Sequence, residues 1–265
     1  MNTGIVVQVI GPVVDVKFAD GQLPAITIRE ENGTARVVGK VDRVDGWLHD
    51  GKLYLRVVDY KTGKKSFDLA ELRYGLGLQM LLYLFTLKEE GQMLFGGHEI
   101  VPAGVLYTPA REPMLRCARD TADETIEKAR RKELRRSGMV LEDPAVLQAM
   151  EHDALDAPEY LPIAVKKGGA LSGSLASEGQ FAKLARYVDC VLREIAGEVF
   201  AGNIDADPYA RTPQQSACTY CEFASACHFE NGCGSDRMEY IKATKNDEFW
   251  QYIDEVNGEG AHENG

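Results

Sequence analysis

Two β-type runs meet at Asp50-Gly51 in "GWLHDGKLYLRVVDYK", Gly46 to Lys61. Asp-Gly between such runs is a strong signal for a two-residue hairpin, because both turn positions need positive φ. With the turn closed there, His49 faces Lys52 and the pairing steps outward symmetrically until Asp42 stands opposite Asp59. Directly opposed residues share a face, with Cβ atoms about 4.5–5.5 Å apart. Residues two apart in one strand also share a face, so Lys61 joins the two carboxylates and Tyr60 turns the other way, into the core. Like charges so placed repel unless a cation lies between them. A divalent ion beside Lys61 resolves the conflict, and hard oxygen ligands suit magnesium or manganese rather than zinc. Carboxylates in ordinary strand-end turns, with Lys61 and Lys64 solvated, also satisfy the spacing.

The rest of the chain supplies elements around this hairpin. "MNTGIVVQVIGPVVDVKFADGQLPA" reads as two short strands, being β-branched and punctuated by Gly-Pro and Asp-Gly. Asp68 to Glu90 reads as one helix: Asp68 is an N-cap with Glu71 three residues on, and Leu69, Leu72, Leu76, Met80 and Leu84 keep helical spacing. A strand at Ala103 to Pro109, a charged helix near Ala122 to Arg136 and a long helix from Glu178 to Phe200 follow. The closing "NGEGAHENG" is expected to be disordered.

Within "EKARRKELRR", Lys128, Arg131, Lys132 and Arg135 fall at helical spacing. They are expected to form a solvated face, with phosphate contact as the alternative. The histidines, His49, His98, His152, His228 and His262, form no cluster by spacing, so no nucleophilic triad is proposed.

From "GKVDRVDG" through "VVDYKTGKK" to "YGLGLQMLLYL" the chain resembles the RecB-type nuclease domain of the restriction-endonuclease-like PD-(D/E)XK superfamily. Within it, the likeness is to the C-terminal domain of AddB-like subunits of helicase-nucleases, over about residues 27–229. The resemblance implies an α/β fold with a restriction-endonuclease-like mixed sheet flanked by helices, carrying a C-terminal cysteine-rich metal-cluster lobe. It implies that Asp42 and Asp59 hold magnesium or manganese, that Lys61 is the catalytic lysine, and that Gln79 and Tyr83 support the site and the DNA backbone. Gln79 and Tyr83, one helical turn apart, share a face; a polar edge on a core helix fits the same spacing. The first 25 residues resemble instead the N-terminus of the ATP synthase β subunit. No Gly-rich phosphate loop with Lys-Ser/Thr follows, so no ATPase function comes with them and a fusion is expected.

"ACTYCEFASAC" sets Cys218, Cys221 and Cys227 in a Cys-x2-Cys-x5-Cys cluster, spacing that points to a metal in a reducing compartment. The AddB-like resemblance implies a 4Fe-4S cluster here, its fourth ligand lying far upstream. No cysteine precedes Cys117, so that ligand is expected to be missing, together with the family's upstream helix and the acidic or histidine residue that completes its metal site. Cys233, Cys190, Cys117 or His228 are the substitutes, with His228 favouring zinc. Cys117 and Cys190 are otherwise expected to be buried thiols.

A net charge of −11 excludes coating of nucleic acid by bulk electrostatics but not a local basic channel. No apolar stretch reaches membrane-spanning length and no signal peptide is evident, so a cytoplasmic protein without membrane contact is expected. The expected domains are 1–25 as the fused strand segment, 26–210 as the nuclease, 211–245 as the iron-sulfur module and 246–265 as an acidic tail. The expected activity is magnesium-dependent hydrolysis of single-stranded DNA in double-strand-break processing and recombinational repair, alongside the A-type subunit of a helicase-nuclease. A catalytically incomplete DNA-binding or subunit-interaction remnant is the competing expectation.

Overall fold

The structure, a computed structural model, describes residues 4–10, 13–18, 26–30 and 33–260. The chain runs through β1 (Gly4–Ile10), β2 (Val13–Phe18), β3 (Ile26–Glu30), β4 (Gly33–Val37), β5 (Arg43–His49) and β6 (Lys52–Lys61), then α1 (Leu69–Arg73), α2 (Gln79–Glu90) and β7 (Glu99–Pro109). It continues with α3 (Asp123–Glu133), β8 (Ser137–Leu141), α4 (Pro144–Met150), β9 (Ile163–Val165), β10 (Leu171–Gly173), β11 (Leu175–Ala176) and α5 (Glu178–Ala201). Last come β12 (Tyr209–Thr212), β13 (Gln215–Ser216), α6 (Ala224–Cys227), β14 (Glu239–Tyr240) and α7 (Asn246–Gly260). Two compact units result: one from segments up to Thr27, Arg36–Phe67 and Leu78–Arg186, the other from Ile28–Ala35, Asp68–Gly77 and the chain from Tyr187 on.

A mixed sheet of seven strands, ordered β1-β2-β5-β6-β7-β8-β11, forms the first unit's frame. Asp50 and Gly51 take φ of 48° and 78°, the hairpin turn expected for Asp-Gly, and His49 pairs with Lys52. Strand β6 lies antiparallel to β5 and parallel to β7, which pairs Leu53 with Ile100, Val57 with Val105 and Asp59 with Tyr107. A Cβ added at Gly91, just after α2, would lie 3.0 Å from Ile100 Cδ1. Because Ile100 shares a face with Leu53, Leu55, Val57 and Asp59, α2 covers the sheet face that carries Asp59. The opposite face carries Leu106 and Val140, which pack with Leu147 of α4 and with Ala154, Leu161 and Ile163.

In the second unit, Tyr187 Oη bonds the carbonyl oxygens of Leu72, at 2.8 Å, and Arg73, at 3.0 Å. Burial holds this phenol well above its ordinary pKa. Arg211 pairs with Asp68 and, at 2.9 Å, with Glu71; Arg73 stacks over the Tyr252 ring 4.7 Å from its centroid.

Several expectations change. The helix expected over Asp68 to Glu90 is two, because Gly75 and Gly77 take φ of 70° and 69° and break it. Asp68 does cap α1, accepting from Ala70 N at 2.8 Å, but Glu71 serves Arg211 rather than a capping box. Helix α7 runs into the stretch expected to be irregular, since Phe249 and Ile253 are buried along one of its faces; residues 261–265 lie outside the described residues. Tyr60 is exposed rather than in the core, its hydroxyl accepting from Arg43 Nη1 at 3.2 Å. Among the described residues no helix is long and apolar enough to cross a membrane.

Leu147 is fully buried in the cluster that joins α4 to the sheet. Leu147→Ala is expected to cost about 2–5 kcal/mol, lost transfer energy plus cavity, read as a lowered denaturation midpoint in urea.

Candidate functional site

Asp59 and Lys61 end β6 on one face, as strand alternation requires. Asp59 is buried, and Lys61 Nζ stands 2.5 Å from its Oδ2. This short ion pair is that oxygen's partner, so the buried carboxylate is charge-compensated by Lys61. A buried charged oxygen is costly unless a cation completes it. Parallel pairing sets Tyr107 beside Asp59, and the Lys61 ammonium lies 5.8 Å from the Tyr107 ring centroid, a cation-π contact.

Asp42 falls one residue beyond the β5–β6 ladder, whose last pair is Arg43 with Val58. It lies in a bend ahead of β5, unpaired with Asp59 in the ladder, and its carboxylate accepts the Tyr60 backbone N–H at 3.0 Å. The second aspartate of "VDRVD", Asp45, pairs in register with Arg56 and belongs to the other face. Its buried carboxylate is held by Arg43 Nε at 2.5 Å and Arg56 Nε at 2.7 Å. The Asp45 hydrogen bond raises the Arg43 pKa, whereas burial, followed by the like charge of Arg56, lowers that of Arg136. Asp45 is thus committed to an arginine network.

Gln79 Nε2 donates to Tyr83 Oη at 2.7 Å, so the helical pair does act together. Tyr83 packs on the backbone that leads to Asp42: a Cβ added at Gly39 would run into Tyr83 Cε1. Asp59 with Lys61 and Gln79 with Tyr83 are therefore bonded or paired side chains, while Asp42 reaches the site through the Tyr60 backbone.

A cleft of about 380 Å³ opens beside Lys61, walled by Lys64, Lys65, Arg111, Lys132 and Arg135 with one carboxylate, Glu133. Of these the sequence singles out Lys64, Lys132 and Arg135; Lys65 and Arg111 carry no local signal, and neither does Tyr107, which the register of β6 on β7 places. The expected solvated face holds for Lys128, Arg131 and Lys132, all exposed on α3, and changes only at Arg135. Helix α3 ends at Glu133, and Arg135 beyond it bonds the carbonyls of Leu161, at 2.9 Å, and Ile163. Arg131 is taken by Glu159 at 2.6 Å, and Lys132 faces the cleft.

Cys218, Cys221 and Cys227 are thiols on one short segment, in which Cys221 N–H donates to the Cys218 carbonyl at 3.2 Å. Three thiolates suit an iron-sulfur cluster by chemistry. Among the described residues, however, no three His, Cys, Asp or Glu side chains are gathered to hold a metal. Cys117, expected to be buried, is exposed, as is Cys233; Cys190 is half-buried on α5.

The chain belongs to the PD-(D/E)XK nuclease superfamily, whose family model matches residues 7–228. The match begins inside the segment that resembles the ATP synthase β subunit. Among relatives, the B-type subunit of the ATP-dependent helicase/deoxyribonuclease of Clostridium botulinum strain Loch Maree is 34% identical over 238 residues, 88% of this chain and 21% of the relative. The protein of the same name from Ruminiclostridium cellulolyticum is 31% identical over 245 residues, 91% of this chain and 21% of the relative. That of Thermoanaerobacter sp. strain X514 is 32% identical over 251 residues, 93% and 22%. The chain thus spans about a fifth of the length of the curated relatives it matches.

Gly39→Ala is expected to destabilise the fold by about 1–3 kcal/mol through overpacking on Tyr83. In a Tyr83→Ala background the same change should cost little, and urea unfolding of the four proteins in that cycle measures the coupling.

Proposed function

We propose that this chain is a divalent-metal-dependent deoxyribonuclease domain that hydrolyses phosphodiester bonds of single-stranded DNA. The observation that carries the reading is the buried Asp59 carboxylate, ion-paired with Lys61 at the wall of a basic cleft. Asp59 and Asp42 would hold the ion, magnesium or manganese by the hardness of their oxygens. When bound, such an ion polarises the phosphodiester and lowers the pKa of a water. Lys61, steadied over Tyr107, presents its ammonium to the attacking water or to the negative charge that develops on phosphorus oxygens. Gln79 and Tyr83 brace the backbone before Asp42 and supply polar groups to the strand.

The relatives' name supports a place in an ATP-dependent helicase/deoxyribonuclease; the role proposed there is double-strand-break processing for recombinational repair. In that setting the partner is the A-type subunit and the compartment is the cytoplasm. The cysteine segment serves as a 4Fe-4S site once a fourth ligand joins Cys218, Cys221 and Cys227; no step of hydrolysis runs through it. One observation favours the second reading, an incomplete remnant: among the described residues the site gathers fewer than three metal-ligating side chains.

Purified protein is expected to shorten end-labelled single-stranded DNA with magnesium, and to stop with a chelator or in Asp59→Ala and Lys61→Ala. A folded wild-type protein that leaves the DNA intact in magnesium and in manganese would establish the remnant instead. Anaerobic reconstitution is expected to load iron and sulfide in equal amounts, with loss in Cys221→Ser; zinc alone in the purified protein would overturn the iron-sulfur assignment.

A further inference from the structure

We propose that the cleft walled by Lys64, Arg111 and Lys132 seats a phosphodiester of the DNA strand next to the one being cut, and that Glu133 is the counter-ion this phosphate displaces. The inference rests on the nuclease reading and assigns the strand's path. Glu133 Oε2 lies 3.4 Å from Lys64 Nζ and 3.4 Å from Arg111 Nη2, so one carboxylate bridges two cations that line the cleft. Both distances are long for direct ion pairs, and the Lys64 side chain is 75% exposed, a pairing weak enough to exchange. Arg111 Nη2, the atom that now meets Glu133, lines the same cleft and is a donor that a phosphate oxygen can take over. Lys132, exposed in the last turn of α3, makes no ion pair among the described residues, so the cleft keeps positive charge even with Glu133 in place. Lys61 lines the same cleft, which links the seated phosphate to the cutting site within one surface.

An anion entering the cleft takes both cations from Glu133 and leaves that carboxylate to solvent. Glu133 is then an electrostatic gate. It screens the basic wall until a polyanion with enough phosphates outcompetes it, which disfavours single small anions over a continuous strand. Lys64 and Lys132 are positioning residues: they act on where the strand lies, not on the phosphorus under attack.

The test is fluorescence anisotropy of a labelled oligothymidylate with full-length protein in chelator, where cleavage cannot occur. Glu133→Gln is expected to tighten binding about fivefold, the effect of removing one unit charge at about 4 Å in water-like surroundings. Lys64→Ala and Lys132→Ala are each expected to weaken binding and to lower the slope of log affinity against log salt by about 0.7. Both substitutions are at exposed side chains, so circular dichroism should show unchanged folding. Wild-type binding that none of the three variants alters would overturn the cleft assignment and leave the nuclease reading standing. Wild-type protein that neither binds nor cuts DNA would sink both. Sodium phosphate is expected to compete no better than sodium chloride of equal ionic strength; preferential competition would make the cleft a free-anion site and overturn the strand path.

Discussion

The parallel ladder of β6 on β7 is the constraint from which the site follows. It pairs Asp59 with Tyr107 and Lys61 with Pro109, and it places the ends of both strands side by side at one edge. Parallel neighbours need a long crossover, and here the connection from β6 to β7 carries α1 and α2. The same crossover therefore delivers Gln79 and Tyr83 to the face that carries Asp59. One topological choice brings together side chains that stand far apart along the chain.

Electrostatics then sorts the carboxylates. Strand alternation sends Asp45 to the face where Arg43 and Arg56 wait, and a buried ion pair so well bonded has no capacity left for a metal. Asp59 goes to the other face, where a single lysine, Lys61, pairs with it at 2.5 Å. The two aspartates differ in chemistry only because the pleat points them in opposite directions. The cleft beyond Lys61 adds positive charge to a chain whose net charge is −11, so binding of a polyanion must be local.

The hairpin and its register are legible because Asp50-Gly51 permits few turns, and Asp59 and Lys61 follow from period-two alternation. The break between α1 and α2 is hidden although Gly75 and Gly77 are plain in the sequence: the leucine periodicity continues across them and masks the interruption. Tyr60 is misplaced by the pattern because alternation tells which face a residue takes and not whether that face is covered at the strand's end. The failure at Arg135 has a similar cause. Helical spacing extends past Leu134 on paper, whereas the guanidinium finds backbone carbonyls to satisfy instead.

By itself the sequence determined the strand that bears Asp59 and Lys61, the Asp50-Gly51 turn that sets its register on β5, and the likeness to a nuclease superfamily, because these depend on neighbours in the chain and on short-range backbone geometry. Only the tertiary structure decided that Tyr107 lies beneath Lys61, that Asp45 is consumed by arginines, and that Glu133 bridges Lys64 and Arg111 in one cleft. Those pairings depend on which strands lie side by side and where a helix ends against its neighbours, and such long-range packing leaves no periodic trace along the chain.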